Sequence, residues 1–229
     1  MHANSPQVLS TQLGPHRRLL DTMIRHRTSP YQRPIATHSI RAFDVLREWL
    51  ALRPNAPLVL DSGCGTGAST LGLATQYPHA SVIGIDQSAD RLARGPLAKT
   101  GLIASNALLI QAPLEDIWRL MLSQGFRLQR HLLWYPNPWP KPHHLLRRWH
   151  GHPVFPSLLA LGGDLELRSN WRIYIDEFQL ALREFGAHSS ITEVDQTLPP
   201  VTPFERKYRD SGHCLWQLNT ALSPNTVKK

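Results

Sequence analysis

The chain has little cysteine, little methionine and no long apolar run. Among 229 residues there are two cysteines and three methionines. Two thiols cannot frame a disulfide-rich secreted scaffold, and Cys64 sits inside a glycine-rich turn where a bridge would be awkward. Cys64 and Cys214 are expected to be reduced thiols of a cytoplasmic protein. No stretch approaches the apolar length that crosses a bilayer. The opening MHANSPQVLSTQLGPHRR has no hydrophobic centre, so no secretory signal is expected. Internal repeats are lacking too. Acidic residues are scarce, 17 against 25 Lys and Arg, which leaves a net charge of +8. A basic surplus of this size points to a polyanionic partner, nucleic acid before acidic lipid.

What is present is organised around His131–Pro156, HLLWYPNPWPKPHHLLRRWHGHPVFP. An apolar strand there ends on Asn137-Pro138-Trp139-Pro140, a proline-flanked corner with an amide and an indole. Lys141, Arg147 and Arg148 follow among four histidines, a set suited to phosphates. The histidines match no usual zinc spacing, so no metal is expected.

Before this stretch, residues 1–14 are polar and expected to be loose. Leu19, Leu20, Met23 and Ile24 form one face of a short helix in His16–Arg27. Ile40, Phe43, Leu46, Trp49 and Leu50 recur at helical spacing over His38–Leu52. Through Arg53 the chain holds eight arginines against three acidic residues, so much of the surplus sits in this arm. From Pro57 strands and helices alternate. Strands are expected at PLVLDS, SVIGID, NALLIQ, the Leu132–Tyr135 run and DLELRSNW. Helices are expected at Ala68–Tyr77, Ala89–Lys99, Glu115–Gln124, around Leu145–Leu161, and at Tyr174–Phe185. Strands at Ser190–Val194 and Cys214–Thr220, with a proline-containing loop between them, close the chain. The pattern is α/β, a mostly parallel sheet with an antiparallel edge strand and helices on both faces. The expected division is a basic arm and helix (1–53), one catalytic domain (54–222) and a short polar tail (223–229), in a monomer.

Three groups of residues carry chemistry. Asp61-Ser62-Gly63-Cys64-Gly65-Thr66-Gly67 follows a strand and opens a helix. Its glycines permit a tight turn and close approach of a ligand to the main chain. Asp86, at the end of the next strand, is placed to accept ribose hydroxyls. The spacing resembles S-adenosylmethionine-dependent methyltransferases rather than nicotinamide enzymes, and that resemblance puts Gln111 and Ala112 beside the adenine. In the second group, Asn137 and its neighbouring carbonyl can accept from an exocyclic amine, or the amide positions a base while Trp139 packs or stacks. In the third, Thr202 and Glu205 can meet the polar edge of a purine.

Together, PLVLDSGCGTGAS, YPNPWPK, GGDLELRSNW and PPVTPFERKYRDSGHCLWQL resemble the bacterial tRNA (guanine-N7-)-methyltransferases, over about Pro57 to Leu218. The resemblance implies a Rossmann-like methyltransferase fold, S-adenosylmethionine as donor and a tRNA guanine as acceptor. It makes Asp61, Gly63, Gly65, Gly67 and Asp86 donor contacts. It makes Trp139, Lys141, Asn170, Thr202 and Glu205 acceptor contacts, and Asn137 the catalytic position. The family's usual Asp is absent at Asn137, Asn170 and Pro113. Another acceptor, or an RNA-binding relative without turnover, therefore stays open. The arm (Arg17, Arg18, Arg25, Arg27, Arg33) and the Lys141/Arg147/Arg148 region are expected to grip tRNA phosphates.

Overall fold

β-Branched and leucine-rich pentads set between glycine or proline turns give the strands of this protein, and amphipathic segments between them give its helices. The computed structural model describes residues 5–95 and 100–223. The chain begins with α1 (Leu19–Thr28) and α2 (Thr37–Ala51), followed by β1 (Leu58–Ser62), α3 (Ala68–Gln76), β2 (Ser81–Asp86) and α4 (Ala89–Ala93). Next come β3 (Gly101–Ala104), β4 (Ala107–Gln111), α5 (Leu114–Ser123) and β5 (Arg130–Trp134). Two 3-10 helices, Pro142–Arg147 and Trp149–Gly151, lead to α6 (Phe155–Ala160). The last elements are β6 (Gly163–Ser169), α7 (Arg172–Glu184), β7 (Ser190–Glu193), α8 (Pro203–Asp210) and β8 (Trp216–Leu222). No described helix is long and apolar enough to cross a membrane.

Packing divides the chain into two compact units, and the break is not at residue 53 as expected. One unit runs from Arg33 to Trp134 and takes in Leu161–Gly163. Its strands lie in the order β3-β4-β2-β1-β5. β1 pairs in parallel with β2 and β5, and β2 in parallel with β4. The buried Val59, Val82, Ala107 and Leu132 pack against Leu73 and Ala74 of α3. The period of two along a strand turns Leu60 and Ile83 to the opposite face, and α2 packs there on β4 and α5. β3 was not expected; it lies antiparallel on β4, with an irregular register between Leu102 and Ala104. Its four residues carry no alternating pattern. α4, expected to reach Lys99, ends at Ala93. A Cβ at Gly95 would lie 2.0 Å from the Thr66 carbonyl oxygen, so the chain runs against the glycine turn there. Residues 96–99 of that expected helix, and most of the expected tail, lie outside the described residues.

The other unit holds the chain through Gln32, Tyr135–Ala160 and the stretch from Asp164 onward. Its strands lie in the order β6-β8-β7, with β7 antiparallel to β8 as expected for the closing pair. Where one helix was expected around Leu145–Leu161 there are the two 3-10 turns and α6. Prolines 142, 153 and 156 withhold amide donors, and a Cβ at Gly151 would lie 2.1 Å from the Leu145 carbonyl oxygen. The loop expected between the closing strands contains α8. Thr202 caps it by accepting from the Glu205 amide at 2.9 Å, and Pro203 opens it. Residues 5–14 are tied down rather than loose: the Ser5 amide donates to Ser211 at 2.8 Å and Ser10 Oγ donates to the Pro140 carbonyl at 2.6 Å.

Gly84 lies mid-strand in β2, where a Cβ would meet Thr70 Oγ1 at 2.3 Å and Leu109 Cδ2 at 2.5 Å. Gly84→Ala is expected to destabilise the fold by about 1–3 kcal/mol through overpacking. A lowered urea midpoint with unchanged slope would report it, and an unchanged midpoint would show that β2 and α3 separate easily.

Candidate functional site

The first unit carries the glycine-rich turn. Asp61 is buried near the end of β1, and its Oδ2 accepts from Ser69 Oγ at 2.6 Å and Thr70 Oγ1 at 2.7 Å. This pins the first turn of α3 to the strand. Burial pushes the Asp61 carboxyl up to about 6; the two hydroxyls pull it down, and Asp86 adds to the rise. The Gly63 and Cys64 amides both donate to the Ile85 carbonyl, at 2.8 and 3.0 Å. Gly63 and Gly65 have φ of +78° and +59°, and no atom lies within 4 Å of where their Cβ would be. That side of the turn is open main chain. Gly67 differs: its Cβ would lie 2.6 Å from Leu109 Cδ1, so it serves close packing.

Asp86 is buried at the end of β2. Its Oδ2 accepts from the Gly65 amide at 3.0 Å and its Oδ1 from the Ser88 amide at 2.8 Å, with Arg91 3.5 Å away. The Ala112 amide donates to the Asp86 carbonyl at 3.2 Å, while Gln111 is exposed. The structure thus brings Asp61, the three glycines, Asp86, Gln111 and Ala112 to the ends of three adjacent strands. Burial pushes the Cys64 thiol well up, so it stays protonated, and both cysteines are free. One polar cluster in this unit gave no sequence signal. Ser62 Oγ lies 2.8 Å from His131 Nε2 and accepts from Trp118 Nε1 at 3.1 Å. Burial pushes His131 down to about 3, so the ring is neutral.

The second unit carries the proline-flanked corner. Asn137 is exposed, and its Oδ1 accepts from the Trp139 amide at 3.3 Å. Trp139 has φ +46°, and Tyr135 before it has φ +54°. Such values strain aromatic residues, so other contacts must hold them. Arg148 is the main one. Its Nε donates to the Trp139 carbonyl at 3.2 Å and its Nη2 to the Lys141 carbonyl at 3.4 Å. Ser10 holds the carbonyl between them. Arg148 is fully buried, its guanidinium 4.8 Å from the Trp171 ring centre. It is therefore not the phosphate contact expected of it. Lys141 and Arg147 are exposed, and Arg147 stacks over the Trp139 ring at 4.7 Å.

Behind Arg148 stands Glu177 of α7, also fully buried. Its Oε2 accepts from Arg148 Nη1 at 2.5 Å and His150 Nε2 at 2.8 Å. Its Oε1 accepts from Gln12 Nε2 at 2.6 Å and the His16 amide at 2.8 Å. Burial alone would push this carboxyl up; the His150 hydrogen bond and the Arg148 charge outweigh it and hold it at about 2. Burial keeps His150 below its usual value, so it serves as a neutral donor.

Glu205, expected at the edge of a purine, is fully buried too. Its oxygens are taken by Arg168, at 2.9 Å, and by Arg209. The physical reason is local: Thr202-Pro203-Phe204-Glu205 is a helix start, and its third helical residue turns inward. Asn170 Nδ2 lies 3.1 Å from His213 Nδ1, and His213 Nε2 lies 2.9 Å from the Ser5 carbonyl. The carbonyl can only accept, so His213 donates to it from Nε2. Tyr208 stacks on His213 and lies beside Tyr135 and Phe204. Among the described residues no group of three metal-ligating side chains occurs.

A family model described as "Putative methyltransferase" matches residues 55–218. The chain belongs to this methyltransferase family. It is 29% identical over 171 residues to a tRNA (guanine-N(7)-)-methyltransferase of Leifsonia xyli subsp. xyli, covering 71% of this chain and 75% of the relative. A tRNA (guanine-N(7)-)-methyltransferase of Treponema pallidum (strain Nichols) is 30% identical over 169 residues, covering 71% and 66%. Among solved structures, the 16S rRNA methyltransferase KamB aligns with a TM-score of 0.57 at 21% identity, over 78% of this chain and 94% of that one. The aminoglycoside resistance methyltransferase NpmB1 aligns at 0.55 and 22%, over 77% and 93%. At these identities both establish the methyltransferase fold.

Glu177→Ala would leave Arg148 buried without its counter-charge and is expected to cost about 3–5 kcal/mol, read as a lowered denaturation midpoint. A loss under 1 kcal/mol would mean that water replaces the carboxylate. Asp61 gives a pH test. Its folded value of about 6 lies above the unfolded value of about 3.9. Its contribution is full below about pH 4 and is lost as pH rises through 6, up to about 3 kcal/mol. Asp61→Asn is expected to flatten the wild type's decline in stability between pH 4 and 6; an unchanged slope would show that another group titrates there.

Proposed function

We propose that the chain is an S-adenosylmethionine-dependent RNA methyltransferase whose acceptor is guanine N7 in tRNA, working as a cytoplasmic monomer. The observation that carries this reading is the family match, which spans both the glycine-rich turn and the Thr202–Glu205 helix start. When bound, S-adenosylmethionine supplies an electrophilic methyl group on a sulfonium. The residues that would hold it fit. Gly63 and Gly65 leave the main chain open to approach. Asp86 uses one acceptor site on each oxygen for the Gly65 and Ser88 amides, and a carboxylate offers about four, which leaves capacity for ribose hydroxyls. Gln111 and Ala112 border the base.

On the acceptor side, guanine N7 has a free lone pair, so no side chain must remove a proton. Rate then comes from holding N7 in line with the methyl group. Asn137, Trp139, Lys141 and Asn170 orient the guanine, on a corner held by Arg148. Thr202 and Glu205 act one step behind, by building α8 and fixing Arg168. The product purine is cationic, and Asn137 offers it a dipole where a carboxylate would offer a charge.

The test uses tRNA lacking its modifications and methyl-labelled S-adenosylmethionine, followed by digestion and mass identification of the labelled nucleoside. N7-methylguanosine is expected. Another labelled nucleoside would replace the acceptor, and no label with donor binding intact would replace catalysis by binding. Asn137→Asp is expected to raise the rate of transfer to N7 about tenfold, equivalent to about 1.4 kcal/mol. An unchanged rate would show that charge at this position does not govern the step.

A further inference from the structure

The five arginines expected to grip phosphates are not equivalent. Arg27 pairs with Glu184 at 3.2 Å and also donates to the Glu184 carbonyl. Arg33 lies 3.8 Å from Glu115. Arg17, Arg18 and Arg25 are exposed and have no carboxylate within ion-pair distance among the described residues. These three line a single cavity of about 310 Å³ between the start of α1 and the first 3-10 helix. Leu145 and Leu146 give it apolar wall, and His143 adds a further donor. Asp21, the acidic residue in the first turn of α1, is not among its lining residues.

Guanidinium groups without a paired carboxylate repel one another, and among the described residues none of these three has an ion-pair partner. Their convergence on one concave site is what a bound polyanion would relieve. A guanidinium fork matches phosphate oxygens bidentately, and the leucines suit the face of a sugar or base. We propose that Arg17, Arg18 and Arg25 form a docking site for successive backbone phosphates of the RNA substrate, while Arg27 and Arg33 do not take part. The inference rests on the reading of the chain as an RNA methyltransferase, and it narrows the RNA contact of the arm to one site. Leu145, one of the lining residues, lies next to the segment that carries Arg147 and Arg148, so RNA held there is held on the same unit as the proline-flanked corner.

The experiment measures affinity of the full chain for a tRNA transcript and for an unrelated duplex RNA, each over a salt series. Three proteins are compared: wild type, the triple variant R17A/R18A/R25A and the double variant R27A/R33A. Each phosphate contact contributes about 0.7–0.9 to the slope of log affinity against log salt. The triple variant is expected to lose about 2–3 from that slope on both RNAs. The double variant is expected to keep the wild-type slope. An unchanged slope in the triple variant, or equal losses in both variants, would overturn the proposal. So would loss of binding to phosphatidylserine vesicles with RNA binding intact, which would make the site a lipid contact. If wild type binds the duplex but not tRNA, the tRNA reading falls while the duplex slopes still decide the arginine site. If wild type binds neither RNA, both fall.

Discussion

One buried carboxylate fixes the unit that carries the proline-flanked corner. Glu177 sits inside α7 with no exposure and takes four hydrogen bonds, two on each oxygen. Taking a carboxylate out of water costs several kcal/mol unless its acceptor sites are filled. The donors come from three separate places: Gln12 and the His16 amide, Arg148, and His150. Each is therefore held where it is by the same demand. Gln12 and His16 carry the N-terminal segment in with them, which is why residues 5–14 are ordered against Ser211, His213 and Pro140. Arg148 turns the other way as well, to the carbonyls of Trp139 and Lys141. The left-handed backbone at Trp139 costs about 1–2 kcal/mol, and the buried guanidinium holds it. The geometry of the proline-flanked corner is thus set from behind, by an ion pair, rather than by the corner's own residues.

Much of this was legible in the sequence, and the rest was hidden for identifiable reasons. The β1 turn and Asp86 could be read because local rules decide them: a strand, glycines that need positive φ, and a carboxylate at the next strand end. The closing antiparallel pair was legible for the same reason. β3 was not, since four residues with one exposed position have no period to detect. The helix expected near Leu145 failed because apolar spacing was weighed above three prolines. Thr202–Glu205 carries a capping pattern with proline at the first helical position, a helix signal present in a stretch expected to be a proline-containing loop. Glu177 and Arg148 could not be found at all by pattern. A glutamate within an amphipathic helix and an arginine within a basic run both look like solvated charge, and only tertiary packing pairs them. Arg148 was accordingly counted with the phosphate contacts.

The same sorting bears on what the missing carboxylates mean. A basic surplus of +8 attracts a polyanion without discrimination, yet several of the basic residues are spent inside the fold. Arg148, Arg168 and Arg209 serve buried carboxylates, and Arg27 and Arg33 serve surface ones. What remains exposed to a polyanion is a smaller set. Asn at positions 137 and 170 shifts the balance further in one direction. Each neutral amide lowers the repulsion between that part of the surface and a phosphate chain, and each gives up a charge that would stabilise a cationic purine. Binding gains what the chemical step loses. Asn137 moreover has its oxygen on the Trp139 amide, so its first duty is to shape the corner. A methyl transfer that needs no general base can tolerate that exchange, because position and orientation supply most of its rate; Arg148 and Glu177 hold the backbone of the corner. A transfer that needed proton removal would need a base at the corner, and the amide of Asn137 cannot take up a proton. That difference favours an acceptor atom with its own lone pair over an exocyclic amine.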